Sequence, residues 1–371
     1  MKIGIISFSA AGESLAVKLS SGLAERLEGA EIVTACKSKY AQEPLEGSHV
    51  KWTGERFADS DGLIFIGAAG IAVRAIAPFL KDKKTDPAVV VMDDRGRFAI
   101  SLLSGHLGGA NTLAETAAEI TGAVPVVTTA TDNHGKLAPD IFAQKNNCQI
   151  GSFVAAKDMA AALLNGEEIG FVSDFEIDAG SDIPEYIRVI SADGPGDLSH
   201  SPDVPEMGIV ISPCACERRD FKRTLRLIPQ CAYLGVGARR GTTAEKINEA
   251  VSKALAEADL DMRAVSCVAT IDLKKDEEGL LEFCRENHLN LQTFTAEELS
   301  AAEGEFCSSD FVKKTTGVDN VCERSAMLAA SQDETNKLNY EGEAPALIVP
   351  KQKGEGVTCA VAVKKWRIRF E

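Results

Sequence analysis

The sequence predicts an α/β protein of more than one domain. Parallel or mixed sheets with flanking helices are expected in an N-terminal unit (1–140) and a C-terminal unit (230–371), with a smaller α+β middle segment (141–229) between them. Three observations carry this expectation. Apolar β-prone runs alternate with stretches of helical spacing, and the strand runs are continuously apolar, as befits strands covered on both faces. The chain has 371 residues, and domains run to roughly 100–200 residues. The alternation is interrupted after about residue 150 by connections rich in Gly, Pro, Asp and Ser, such as SADGPGDLSHSPDVPE (191–206).

In chain order, KIGIISFS (2–9) reads as a strand, and the next stretch (12–27) as a helix with Leu15, Leu19, Leu23 and Leu27 on one face. EIVTA (31–35) is a short strand. GLIFIGAAG (62–70) is a buried strand entering a glycine turn, and IAVRAIAPFL (71–80) is the helix after it. AVVVMDD (88–94) and FAISLL (98–103) are strands around a turn at RGR. SLLSGHLGGAN (101–111) opens the helix TLAETAAEI (112–120), and VPVVTT (124–129) follows as a strand, with a helix after ATDNHGKLAP. In the middle segment a helix (154–166) precedes strands at 168–174, 186–191, 206–213 and 221–229. The third unit begins with the strand CAYLGVGARRG (231–241) and a long amphipathic helix (242–260), for which Thr242 or Thr243 is the expected N-cap with Glu245 in support. Strands at 264–272 and 291–295 bracket a helix (278–289); a helix (321–331) and two strands (346–352, 357–365) complete it.

Apolar residues make up 45% and charged residues 26%, an ordinary globular composition. The net charge of −15 argues against nonspecific nucleic-acid binding, which depends on Lys and Arg at phosphates. The longest apolar stretch (62–73) is too short and glycine-rich to span a bilayer, and the N-terminus reads as a fold element instead of a signal peptide, so a cytoplasmic protein is expected. Ten cysteines are scattered without a CxxC pair; Cys214 and Cys216 form the closest spacing. Reduced, mostly buried thiols are expected, and no metal site.

Three strand-to-helix junctions carry unusual glycine: Gly67 to Gly70, Ser104 to Asn111 with Gly105, Gly108 and Gly109, and Gly235 to Gly241 with Gly237. At such junctions helix N-termini present unpaired N–H donors that favour carboxylate or phosphate. None matches a nucleotide-binding motif. Arg74, Arg95, Arg97, Arg239 and Arg240 lie near these turns, and guanidinium groups suit carboxylates. His106, set among glycines, is the candidate general base, and Asp132, in TTATDNHG (128–135), is its competitor. Each feature also has a plainer reading: tight turns, solvated arginines, a structural histidine.

Residues 62–132, with LGVGARRGTTAEKINEAVSKAL (234–255), VCERSAMLAAS and VTCAVAVKK, resemble the cobalt-precorrin-5A hydrolase family, CbiG. The C-terminal part resembles a domain that also occurs as a separate protein of aerobic cobalamin synthesis. The resemblance implies an anionic cobalt-tetrapyrrole substrate whose δ-lactone is opened with loss of acetaldehyde. It implies no cofactor of the protein's own, because cobalt arrives in the substrate. On that chemistry His106 and Asp132 are the catalytic candidates. Gly67, Gly70, Arg74, Gly105, Gly108, Gly109, Asn111, Gly237, Arg239 and Arg240 are the candidate substrate contacts. No nucleic-acid or membrane partner is implied, and a homodimer is a possible assembly. A tetrapyrrole carrier, or a simple esterase acting through a cysteine, fits the residue chemistry as well.

Overall fold

The computed structural model describes residues 1–82, 85–105, 108–128, 136–190, 203–216, 220–333 and 344–370, Phe311 by its backbone alone. The described residues form three sheets in two compact units, residues 1–141 and 142–371. None of the described helices is long and apolar enough to cross a membrane.

The first unit is built on β1 (Lys2–Ser7), β2 (Glu31–Cys36), β3 (Gly62–Ile66), β4 (Ala88–Met92), β5 (Phe98–Leu103) and β6 (Val124–Val126), in the order β2-β1-β3-β4-β5-β6. β1 to β4 are mutually parallel. β3 and β4 are buried at every position, which explains their unbroken apolar runs. β5 turns back antiparallel to β4, pairing Leu103 with Val89 and Ala99 with Met92, and β6 runs parallel to β5. β6 has three residues, with Val127 and Thr128 of the predicted 124–129 outside the strand and Thr129 outside the described residues.

Helix α1 (Ala10–Arg26) is capped by Ser9, whose Oγ accepts from Gly12 N–H at 3.0 Å. Its Leu19 and Leu23 are fully buried, while Leu15 and Leu27 sit at the rim. Helix α2 (His49–Asp59) is absent from the sequence reading. A glycine at its centre lowers its propensity, yet an added Cβ on Gly54 would stand 2.5 Å from the Phe79 ring. Packing thus demands what propensity disfavours. Helices α3 (Ala69–Ile76) and α4 (Ala110–Thr121) follow β3 and β5, and α5 (Pro139–Lys145) leads into the second unit.

The second unit holds two five-stranded sheets. The first contains β7 (Cys148–Ile150), β8 (Ile169–Ser173), β9 (Ile187–Val189), β10 (Met207–Ile211) and β11 (Arg223–Pro229), in the order β7-β11-β10-β8-β9, with helix α6 (Phe153–Leu164) between β7 and β8. The second contains β12 (Ala232–Ala238), β13 (Val265–Ile271), β14 (Asn290–Phe294), β15 (Ala346–Lys353) and β16 (Val357–Val363), in the order β14-β13-β12-β16-β15. β12, β13 and β14 are parallel, and β15 and β16 close one side antiparallel. Helices α7 (Ala244–Glu257), α8 (Glu278–Glu286), α9 (Ala296–Ala301), α10 (Asp310–Thr316) and α11 (Cys322–Gln332) accompany it. Thr243 is the N-cap of α7 by backbone, but its side chain accepts from no helix N–H. It hydrogen-bonds the Glu245 carboxyl instead, holding that group below its ordinary range. A reciprocal capping box forms at α9, between Thr295 and Glu298.

Two features join the sheets of this unit. The chain end returns from β16 to the first of them, where the Phe370 ring packs against Phe171 and Phe142 at centroid distances of 4.9 and 5.0 Å, and Trp366 against Phe175 at 5.1 Å. Residues 213–216 are stitched to the turn after α7: Ala215 N–H donates to Asp259 O, and Asp261 N–H to Pro213 O, both at 2.8 Å. Cys214 and Cys216 form a disulfide, where reduced thiols were expected; the other eight cysteines are free.

Candidate functional site

The antiparallel course of β5 decides which glycine turns can act together. Gly67 follows β3, and its N–H donates to Met92 O at 2.8 Å, at the carboxyl end of β4. Ser104 follows β5, and its Oγ donates to Asp86 O at 2.9 Å, beside the amino end of β4. The turn at Gly67–Gly70 and the turn at Gly105–Gly109 therefore lie at opposite ends of the sheet. The length of β4 alone sets them roughly 13 Å apart, at about 3.3 Å per residue. At that separation the two turns cannot both donate to one ligand atom.

At the carboxyl end of the sheet, Phe8, Ser9, Ile66, Gly67, Ala68, Asp93 and Asp94 line a cleft of about 350 Å³. This is where ligands enter open α/β sheets. Gly67 is the sequence-predicted residue found there. Ser9, Asp93 and Asp94 were passed over, although their places directly after β1 and β4 were the signal. Burial opposes ionisation of Asp93, but hydrogen bonds from Arg97 and the Phe98 N–H outweigh it and hold the carboxyl below its usual range. Arg97 is thereby committed to the β4–β5 turn. Ser9 Oγ donates to Asp94 at 3.2 Å. Arg74 Nη1 donates to Gly70 O at 3.0 Å, folding the guanidinium back along its own helix.

At the opposite end, the second turn is wound on Ser104, whose φ of 57° is left-handed. Ala110 N–H donates to Ser104 O and Asn111 N–H to Gly105 O, each at 3.0 Å, so these two donors belong to the turn itself. A Cβ on Gly108 would stand 2.3 Å from Ser104 Cβ, and Gly109 is left-handed at φ 80°. Asn111 is buried. His106 and Asp132 lie outside the described residues.

In the second unit, Arg239 and Arg240 leave the end of β12 with their side chains exposed. Their surroundings differ. Arg240 lines a cleft of about 540 Å³ with Thr242, Thr243 and the acids Asp276, Glu277, Glu278 and Glu282. Hydrogen bonding to Lys274 holds Glu277 below its usual range, with the charge of Arg240 adding to the effect. Arg239 sits beside the β15–β16 turn, its N–H donating to Gly356 O at 2.8 Å. Gly237 has a packing reason of its own: a Cβ there would lie 2.6 Å from Thr358 Oγ1. Gly235 is tighter still, with a Cβ placed 1.7 Å from Cys322 O of α11.

Comparison with known proteins bears on all three sheets. The cobalamin synthesis G N-terminal family matches residues 51–132, the cobalamin biosynthesis central region 137–229, and the cobalamin synthesis G C-terminus 232–362. A cobalt-precorrin-5A hydrolase of Salmonella typhimurium is 36% identical over 318 residues, covering 82% of this chain and 88% of that protein. One from Priestia megaterium is also 36% identical, covering 83% of this chain and 79% of its own length. Among solved structures, a cobalamin biosynthesis protein G homologue from Sulfolobus solfataricus covers 98% of this chain and 97% of its own, at 23% identity and a TM-score of 0.39. On the sequence matches, which run from residue 51 to residue 362, the chain belongs to the cobalt-precorrin-5A hydrolase family of cobalamin synthesis.

Proposed function

We propose that the chain hydrolyses cobalt-precorrin-5A in anaerobic cobalamin synthesis. Water opens the δ-lactone, the former meso carbon leaves with its methyl group as acetaldehyde, and cobalt-precorrin-5B remains. The observation that carries this reading is the 36% identity to a named cobalt-precorrin-5A hydrolase across most of both chains.

The chemistry needs an activated water and donors for the developing oxyanion. His106 is the proposed base, Asp132 the alternative, and Gly105, Gly108 and Gly109 the proposed donors. Gly67 and Gly70 stand too far from that turn to share its oxyanion, which leaves them, with Arg74, to the cleft at the other end of the sheet. The freed alkoxide collapses to acetaldehyde, its electron pair passes to the ring carbon, and a general acid protonates that carbon. Arg239 and Arg240 are the proposed partners of peripheral carboxylates, Arg240 in competition with Glu277. Cobalt enters within the substrate, so the reading assigns the protein no cofactor. It also makes the protein cytoplasmic and a homodimer a possible assembly.

The test is acetaldehyde release from cobalt-precorrin-5A by the purified protein. One equivalent per substrate supports the reading. Tight binding of the corrinoid with no acetaldehyde makes the chain a carrier and refutes it. His106→Ala should slow single-turnover release by roughly 10²–10⁴-fold, the range of a lost general base; a rate within a few-fold of the parent removes His106 from the reaction.

A further inference from the structure

The loop after β10 gathers three metal-ligating groups far in sequence from the glycine turns. Cys214 Sγ, Cys216 Sγ and a carboxylate oxygen of Asp259 all lie within 4.8 Å of one another. Cys216 and Asp259 are exposed and Cys214 is half-buried. The frame that holds them is specific. Cys214 pairs with Leu260 in an antiparallel bridge, and Asp259 adopts a left-handed φ of 50°. The neighbouring acid is engaged elsewhere: Asp261 binds Arg263 at 2.7 Å and Arg226 at 3.2 Å. Asp259 instead aims Oδ2 at Cys214 Sγ, 2.7 Å away. A disulfide sulfur carries no proton and a carboxylate has none to give, so two electron-rich atoms meet inside van der Waals contact. Such a contact is relieved by a proton or a cation between them. The Cys216 N–H donates to Cys214 Sγ at 3.2 Å, tying the two cysteines into one tight loop.

We propose that the reduced chain binds one thiophilic divalent cation of the zinc class through Cys214, Cys216 and Asp259, and that disulfide formation closes the site. Two thiolates and one carboxylate suit such an ion, with Zn–S about 2.3 Å and Zn–O about 2.0–2.2 Å, and solvent fills the remaining position of the open face. Opening the site takes two electrons. A phosphine reductant and one water convert the disulfide to two thiols and become the phosphine oxide. The thiols then release their protons as the cation binds.

The probe is cobalt(II), whose thiolate charge-transfer band reports sulfur ligation, added to the full chain after reduction and removal of the phosphine. The expected result is saturation at one ion per chain, displacement by zinc, loss of the band in Cys216→Ser, and at least tenfold weaker binding in Asp259→Asn. Reoxidation should abolish binding. Far-UV circular dichroism of both variants reports whether they keep the parent fold; Cys216 and Asp259 are exposed, and both substitutions are close in size. Absence of saturable binding by the reduced parent, or equal binding by either variant, overturns the proposal.

Discussion

Replacing Glu323 by Ala tests how the third sheet is held together. This carboxylate is fully buried near the start of α11. Oε2 accepts from Cys307 N–H at 2.7 Å and from Asn320 Nδ2 at 2.5 Å, and Oε1 accepts from Lys351 N–H at 2.8 Å. It thus clamps the segment before α10, the turn before α11 and strand β15. Truncation leaves three donors without their acceptor. Losing a hydrogen bond to a charged group costs about 1.5–3 kcal/mol, with the full penalty only where water cannot enter. Only the Asn320 bond is wholly buried, so we expect about 4 kcal/mol in all. Glu323→Gln keeps one carbonyl acceptor and turns an NH₂ toward a donor, and should cost about half as much. The assay is urea unfolding of the full chain, followed by a probe on the second unit. With a slope of roughly 2–3 kcal/mol/M, the Ala variant should unfold about 1.3–2 M earlier in urea. A shift below about 0.3 M, or an equal shift for both variants, would refute the clamp.

Three further expectations follow from the structure. Arg239→Ala combined with Arg240→Ala should weaken corrinoid binding about tenfold, as two exposed guanidinium contacts would, measured by absorbance titration; unchanged affinity returns both to solvent. The Gly180 N–H holds the Asp178 carboxyl below its usual range, against desolvation and with help from Arg369. A depressed folded-state pKa stabilises above the unfolded value, about 3.9, and the benefit fades as pH falls through that value toward the folded one. The stability difference between the parent and Asp178→Asn should therefore be present at pH 6 and shrink by pH 3; a gap that widens in acid contradicts the assignment. At neutral pH a thiol reagent should modify one cysteine first, Cys307, which is exposed although hydrogen bonding to Glu323 raises its thiol, and three after reduction of the disulfide. The Cys231, Cys267 and Cys359 thiols are pushed up to about 12 by burial, and Cys284 and Cys322 to about 11. Three fast thiols without reductant would show that Cys214 and Cys216 are not bonded.

The strands were legible because helix-covered β-structure needs unbroken apolar runs, and AVVVM and GLIFI supply them. The direction of β5 was legible too and went unread. Only residues 93–97 separate β4 from β5, and a parallel crossover needs a dozen or more. That connection length alone places Gly67 and Gly108 at opposite ends of one sheet. Helix α2 was illegible for the contrary reason: its glycine is explained only by the Phe79 ring, 25 positions later in the chain. At the candidate site, Arg239 and Arg240 stood out by their place directly after a strand, but the acids around Arg240 come from α8 and the turn before it. No local pattern announces them. Gly235 and Gly237 drew attention as a ligand turn, yet their first duty is steric, toward Cys322 and Thr358.

The return of Trp366, Ile368 and Phe370 to the first sheet of the second unit has a consequence for synthesis. That sheet's strands end at Pro229, but its aromatic core is completed by Trp366 and Phe370, far later in the chain. At about 5–20 residues per second, a nascent chain waits roughly 10–30 s between emergence of β11 and arrival of its last hydrophobic plug. Throughout that interval Phe142 and Phe171 lack the Phe370 ring that packs against both. Arrival of residues 366–370, not the appearance of the last strand, finishes this layer, and a stop codon before Trp366 would leave it open for the life of the protein.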